Sequence, residues 1–318
     1  MFKVLSRKKL ISCYKTRSVL VTGANGFVAS YLIPRLGEFG AVVYGIDRKG
    51  SSDIGGYSHH KCDLIKLDEV RKYVTRIKPE IVFHLASQSS VGTSWEQEWK
   101  TMETNVKITY NLFKALEEMG TPVKVLLVSS GEVYGDLGHK KSVETDSLRP
   151  VNPYSVSKAM MEMIAHRFKN TNVKYIIARS YNHTGPGRPQ HFFEASVMKQ
   201  FALAAKAKKK TVQISAGNID VIRDYSDVRD VVEKYLQLTP QGKTGKAYNI
   251  CSGIGMSLRD IIHKIEEISQ IKSEIKRDIS KMRKNDIKYF VGKIGYVKLR
   301  NSYSLENTLR DIWASYVC

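Results

Sequence analysis

The sequence predicts an α/β fold: a doubly wound parallel sheet over the first part of the chain, then a smaller C-terminal α/β domain. Three observations carry this. From residue 18 to residue 180, short runs rich in Val, Ile and Leu alternate with longer amphipathic segments. The first run leads into a glycine-rich turn and a helix start. The polar clusters of this region each follow the carboxyl end of an apolar run, where open parallel sheets bind their ligands.

Taken in order, Ser18–Thr22 is the first strand, and Gly23-Ala24-Asn25-Gly26-Phe27-Val28-Ala29 opens a helix. A buried strand, a glycine turn and a helix N-terminus make a dinucleotide-phosphate site. Gly23 permits the turn, Gly26 lets backbone approach the phosphates, and Ala29 is the small third position of a GxxGxxA spacing. Ala41–Ile46 is the second strand and ends at Asp47-Arg48. The acid suits the ribose hydroxyls of NAD, and the adjacent Arg suits the 2′-phosphate of NADP, so the choice stays open. Cys62-Asp63-Leu64 follows, with Asp63 placed either at an adenine edge or as a turn or cap residue. Leu67–Ile77 is an amphipathic helix, and Ile81–Ala86 is a strand whose exit is Ser87-Gln88-Ser89-Ser90. Trp95–Met119 reads as one helix carrying Asn105. Val123–Val128 is a strand running into Ser129-Ser130-Gly131-Glu132. A helix starts at Pro153 and runs to Asn170, and Lys174–Arg179 is a strand followed by the loop Ser180–Gly187. Beyond His183 the alternation fades. Residues 181–318 are expected to form mainly a second domain, with return segments to the first near 218–250. Phe192–Ala207 and Ser257–Ser269 are helices, and Ala247–Ile250 is a strand.

Composition narrows the partners. The chain has 318 residues, 42% hydrophobic and 26% charged, which is globular. No apolar run approaches the roughly 20 residues of a membrane span, so no membrane partner is expected. Four scattered cysteines without a CxxC pair argue against zinc and a disulfide framework, and fit a reducing, cytoplasmic setting. No metal site is expected. The net charge of +20 concentrates in residues 1–18 and 272–300. Neither stretch interleaves aromatics with its charges, so a phosphate site rather than a nucleic-acid partner is expected. Residues 1–17 precede any core element in this reading. They fit a disordered basic arm or a transit peptide, and their shortness and low Ser content favour a plain basic extension.

Chemistry concentrates at Pro153-Tyr154-Ser155-Val156-Ser157-Lys158. Tyr154 and Lys158 lie one helical turn apart on one face. A cation there favours the ionised phenol and lowers its pKa, so that Tyr154 can pass a proton to or from a substrate oxygen. Such a pair alone occurs on many surface helices.

Together with the glycine turn, these motifs resemble the extended short-chain dehydrogenase/reductase family over roughly residues 18 to 318, with its Rossmann-like sheet. The resemblance implies Tyr154 as acid/base, with Lys158 lowering its pKa and holding the nicotinamide ribose. It implies Ser130 as the group orienting the substrate oxygen and Asn105 as a supporting residue. NAD or NADP would be held by Gly23, Asn25, Gly26, Phe27, Val28, Asp47, Arg48, Asp63, Leu64, Leu85, Ala86, Ser87, Gln88, Asn105, Tyr154, Lys158 and His183. Three stretches look like members acting on GDP-6-deoxy sugars: Ala86–Val91, Tyr181–Gly187 and Gly217–Val232. They imply reduction of the C4 keto group of GDP-4-keto-6-deoxy-D-mannose to GDP-D-rhamnose or its C4 epimer. The alternatives are 4,6-dehydration of GDP-mannose with Glu132 as base, C4 epimerisation, and a non-catalytic binding module. Thr184-Gly185-Pro186 and Tyr225–Asp230 favour the reductase over the dehydratase. Ser130, Asn182, Arg223 and Arg283 are the implied substrate contacts, the two arginines for the diphosphate, although each suits a surface salt bridge as well. A homodimer through the Trp95–Met119 and Pro153–Asn170 helices is also implied. The chain departs from the family in its amino-terminal extension, in Ala29, and in residues 292–305, which leaves the seating of the last helix open.

Overall fold

The fold is taken from a computed structural model that describes residues 3–50, 57–282, 285–297, 299 and 301–317. The strands are β1 (Ser18–Thr22), β2 (Val42–Asp47), β3 (Ser58–Lys61), β4 (Ile81–His84), β5 (Val123–Ser130), β6 (Val173–Ser180), β7 (Asn182–Thr184), β8 (Thr211–Ala216), β9 (Ile222–Asp227), β10 (Ala247–Ile250), β11 (Gly255–Ser257), β12 (Lys272–Arg277) and β13 (Tyr289–Phe290). The helices are α1 (Arg7–Tyr14), α2 (Phe27–Glu38), α3 (Leu67–Ile77), α4 (Val91–Glu96), α5 (Glu98–Met119), α6 (Pro153–Arg167), α7 (Phe193–Lys206), α8 (Val228–Gln241), α9 (Leu258–Ser269) and α10 (Leu305–Val317).

Seven parallel strands form the main sheet in the order β3-β2-β1-β4-β5-β6-β10. The order reverses between β1 and β4, so the crevice at their carboxyl ends is the switch point of a Rossmann-like sheet. Period-two alternation serves both faces. Val19, Val21 and Leu126 pack on one side with α2 and α8, whereas Leu20, Val125 and Leu127 pack on the other with α3, α5 and α6. The return of the chain near 218–250 puts α8 and β10 into this layer.

The second layer is built around β9, which pairs with β7, β11 and β13. Strands β8 and β12 make a two-stranded parallel ladder beside it. Helices α7, α9 and α10 share a separate apolar cluster with this region. Helix α10 is seated: Leu309 and Ile312 are buried, and Thr308 donates to the Asp227 carboxylate at 2.7 Å.

The structure departs from several expectations. Residues 3–17 are not a bare extension. Ser6 caps α1, Leu10 and Tyr14 are buried, and the Tyr14 hydroxyl donates to the Leu236 carbonyl at 2.8 Å. The apolar residues Leu5, Leu10, Ile11 and Tyr14 recur at helical spacing, which is why a mainly basic segment still docks. The helix expected over 95–119 breaks at Gln97, whose φ of −136° leaves the helical region. The loop expected after β6 contains a strand, β7, a short polar run whose partner β9 is distant in sequence.

Candidate active site

The glycine turn forms because β1 must turn sharply into α2. Gly23 has φ +69°, and a Cβ there would lie 3.0 Å from the backbone of Ala86. Gly26 is the N-cap of α2 and makes no side-chain cap bond, so the first-turn N–H groups beyond Phe27 face outward without a side-chain acceptor. The Asn25 N–H donates to Asp47 Oδ2 at 3.3 Å and its side-chain amide to the Gly50 carbonyl at 3.0 Å, while Asn25 Oδ1 is buried without a hydrogen bond. The other Asp47 oxygen accepts the Lys49 N–H, and Arg48 is exposed. Asp63 makes a local turn, its Oδ1 accepting the Ile65 N–H at 3.1 Å, and Leu64 is a core residue. Behind the turn, Thr22 Oγ1 accepts the Ala86 N–H at 3.1 Å and contacts His84, whose pKa burial pushes down to about 3. This cradle fits a dinucleotide diphosphate: bare N–H groups, a backbone approach that only glycine permits, and an acid at the end of β2.

Helix α6 presents the next group. Asn152 caps it in a capping box with Ser155, and Pro153 occupies its first turn. Tyr154, Lys158 and Glu162 therefore follow one another along a single stripe. Lys158 is 2% exposed, and its Nζ donates to Ser87 Oγ and to the Val128 carbonyl, each at 3.0 Å. Burial lowers its pKa to about 7, opposed by the Glu162 carboxylate. Glu162 in turn forms a buried ion pair with Arg179 at 2.7 Å and accepts the Ser129 hydroxyl at 2.6 Å. The Tyr154 phenol is raised above its ordinary value, chiefly by burial and then by Glu132, with a hydrogen bond to Ser130 and the charge of Arg188 pulling it back. This corrects the expectation of a phenol lowered by Lys158. The ammonium is tied to Ser87 and Val128 at 5.8 Å from the Tyr154 ring centroid, and burial disfavours its own charged form.

Asn105 is completely buried and links three elements. Its Oδ1 accepts the Gln88 N–H at 2.7 Å, and its amide donates to the Gln88 carbonyl at 3.1 Å and to Ser157 Oγ at 2.9 Å. It holds the Leu85–Gln88 exit of β4 against α6. Ser130, at the carboxyl end of β5, is 6% exposed and accepts the Glu132 N–H. The Glu132 carboxylate accepts the Asn152 amide at 2.8 Å.

The opposite wall comes from β7, β9 and the loops beside them. His183 stacks on Phe27 with centroids 6.3 Å apart, and burial lowers its pKa to about 3. Asn182 Nδ2, Thr184 Oγ1 and Ser226 Oγ are buried without hydrogen bonds on the paired strands β7 and β9, an unusual concentration of unsatisfied groups. Arg223 is 8% exposed and joined to Asp286 at 2.6 Å and to the Ile287 carbonyl at 2.6 Å. It lines a narrow cleft with Glu132, Asn152, Trp95 and Phe290. Arg283 lies outside the described residues.

Sequence reasoning missed Arg188. Its guanidinium lies 3.5 Å from the Phe192 ring centroid and 5.1 Å from that of Phe27, and it is among the charges that act on Tyr154. The only local signal was an arginine directly after the Gly185-Pro186-Gly187 turn.

Residues 19–251 match the model of the NAD dependent epimerase/dehydratase family. The chain is 34% identical over 228 residues to GDP-6-deoxy-D-mannose reductase of Pseudomonas aeruginosa, covering 71% of this chain and 74% of that one. It is 26% identical to GDP-mannose 4,6-dehydratase of Vibrio cholerae, covering 77% and 70%. A solved structure of RMD from Pseudomonas aeruginosa complexed with NADPH superposes with a TM-score of 0.81 at 28% identity, covering 95% and 99%. The site geometry, the matched length and these likenesses agree: the chain belongs to the NAD dependent epimerase/dehydratase family and is an NAD(P)-dependent enzyme of the extended short-chain dehydrogenase/reductase type.

Proposed function

We propose that this enzyme reduces the C4 keto group of GDP-4-keto-6-deoxy-D-mannose, giving GDP-D-rhamnose or its C4 epimer. The observation that carries the reading is Ser130 at the carboxyl end of β5, joined through Glu132 to the Asn152 cap of the helix that carries Tyr154 and Lys158, with the Lys158 ammonium held by Ser87. In this reading Tyr154 gives its proton to O4, and a phenol held above its usual range keeps that proton at neutral pH. The Ser130 hydroxyl donates to the same oxygen as charge develops there. Lys158 and Asn105 position the Ser87–Gln88 segment. The glycine turn, Asp47 and residues 85–88 would hold the cofactor, whose nicotinamide supplies a hydride when bound. Asn182 would meet the sugar, and Arg223, with Arg283, the diphosphate. Two copies would associate through α5 and α6, where Trp99 is 71% and Met163 62% exposed.

A second reading, 4,6-dehydration of GDP-mannose, draws support from Glu132. Its carboxylate lines the cleft and is steadied by Asn152, where a base would stand. One experiment separates them. The reductase oxidises NAD(P)H only when the 4-keto-6-deoxy sugar is present and leaves GDP-mannose unchanged. Conversion of GDP-mannose without added reductant would establish the dehydratase instead, and inactivity on both would refute each reading.

A further inference from the structure

Arg188 enters the chemistry above only through its charge on Tyr154, yet its placement is built rather than accidental. It follows Gly187, whose φ of +81° is a conformation that glycine adopts without strain. Phe192 and Phe27 flank its guanidinium. Phe27 is the first residue of α2, directly after the bare Gly26 cap. The nearest carboxylate oxygen, Glu194 Oε1, is 3.5 Å away, and neither it nor Arg188 Nε makes a hydrogen bond. The other Glu194 oxygen accepts the Tyr225 hydroxyl at 3.1 Å. The Arg188 side chain is only 11% exposed, and its buried Nε has no more than the long ion pair with Glu194, so the group is incompletely satisfied. Burial accordingly disfavours its charged form. With its faces against rings, the group keeps its planar N–H edge for a bidentate oxyanion.

We infer that Arg188 is a diphosphate-binding residue: carried on the loop after β7, it reaches the α2 N-terminus and clamps the phosphoryl oxygens of the dinucleotide from the side opposite the glycine turn. The clamp ties cofactor binding to the β7–β9 layer, so the cofactor rests on both parts of the fold. The inference rests on the dinucleotide reading of the glycine turn.

The test measures binding to the full-length protein by calorimetry, with ADP-ribose, AMP and GDP as probes, in the wild type and in Arg188→Gln and Arg188→Lys. Arg188→Gln should weaken ADP-ribose roughly 10- to 100-fold while AMP and GDP change little, and Arg188→Lys should recover part of the loss. Glu194→Gln, which removes the competing carboxylate, should tighten ADP-ribose. Unchanged ADP-ribose affinity in Arg188→Gln overturns the clamp, and so does an equal loss for AMP, which lacks the diphosphate. A loss confined to GDP overturns the assignment to the cofactor. Absence of ADP-ribose binding by the wild type overturns the dinucleotide reading itself. If Arg188→Gln does not fold, Arg188→Lys and Glu194→Gln carry the same comparison.

Discussion

Replacing Lys158 by Met should stabilise the protein near neutral pH and destabilise it in alkali. In the folded state the ammonium is buried and its pKa falls from 10.5 to about 7. Between those values the unfolded chain binds the extra proton, so stability rises with pH across the window. At pH 7 the shift corresponds to roughly 4 kcal/mol of penalty that a methionine does not carry, and near pH 10 to less than about 1 kcal/mol. Against this, the variant leaves Ser87 Oγ and the Val128 carbonyl without their donor, at about 1 kcal/mol each. The net is a gain of about 2 kcal/mol at pH 7 that turns into a loss of about 1 kcal/mol near pH 10. Urea unfolding of both proteins across this range reads the difference directly. A difference independent of pH would refute the reasoning, because it would mean that Lys158 does not titrate near 7 in the fold. The variant should also be inactive and bind NAD(P)H more weakly.

Tyr154→Phe should abolish turnover and leave NAD(P)H affinity, read by nucleotide fluorescence, unchanged; near-full activity would remove Tyr154 from the acid role. Arg223→Ala should weaken GDP-sugar binding by roughly 2–5 kcal/mol with little effect on NAD(P)H, and Arg223→Lys should restore only part. Because Arg223 also pairs with Asp286, equal losses of both ligands together with lowered thermal stability would mark it as structural. Tyr14→Ala should cost about 3–5 kcal/mol in urea unfolding, since the ring is completely buried between α1 and the sheet. A cost below about 1 kcal/mol would show that α1 contributes no packing. Met163→Glu should turn a dimer into a monomer by light scattering at micromolar concentration, and a wild type that is already monomeric would remove the proposed interface.

Local patterning was enough to recognise the main sheet apart from β3, because the inner strands are buried and so appear as continuous apolar runs around Leu20, Val82 and Leu126, whereas β3 is a largely exposed polar run, Ser58–Lys61. The glycine turn and the Pro153–Lys158 helix start were legible for the same kind of reason. Gly23, Gly26 and Pro153 are demanded by backbone geometry within a few residues, whereas the Asn152 cap emerged only from the structure. Strands β7, β8, β9 and β12 were obscure because their stability comes from partners far along the chain, as between Asn182 and Tyr225 or Lys272 and Thr211. The docking of α1 depends likewise on α8, more than two hundred residues away. The electrostatic character of the site was also beyond local reading. Spacing put Tyr154 and Lys158 on one face, but burial governs both groups: it raises the phenol and weakens the ammonium. The charge of Arg188 acts on the phenol only because the chain after β7 folds back onto Phe27. Desolvation and through-space charge depend on what surrounds a group in three dimensions, and neither is written in its neighbours along the chain.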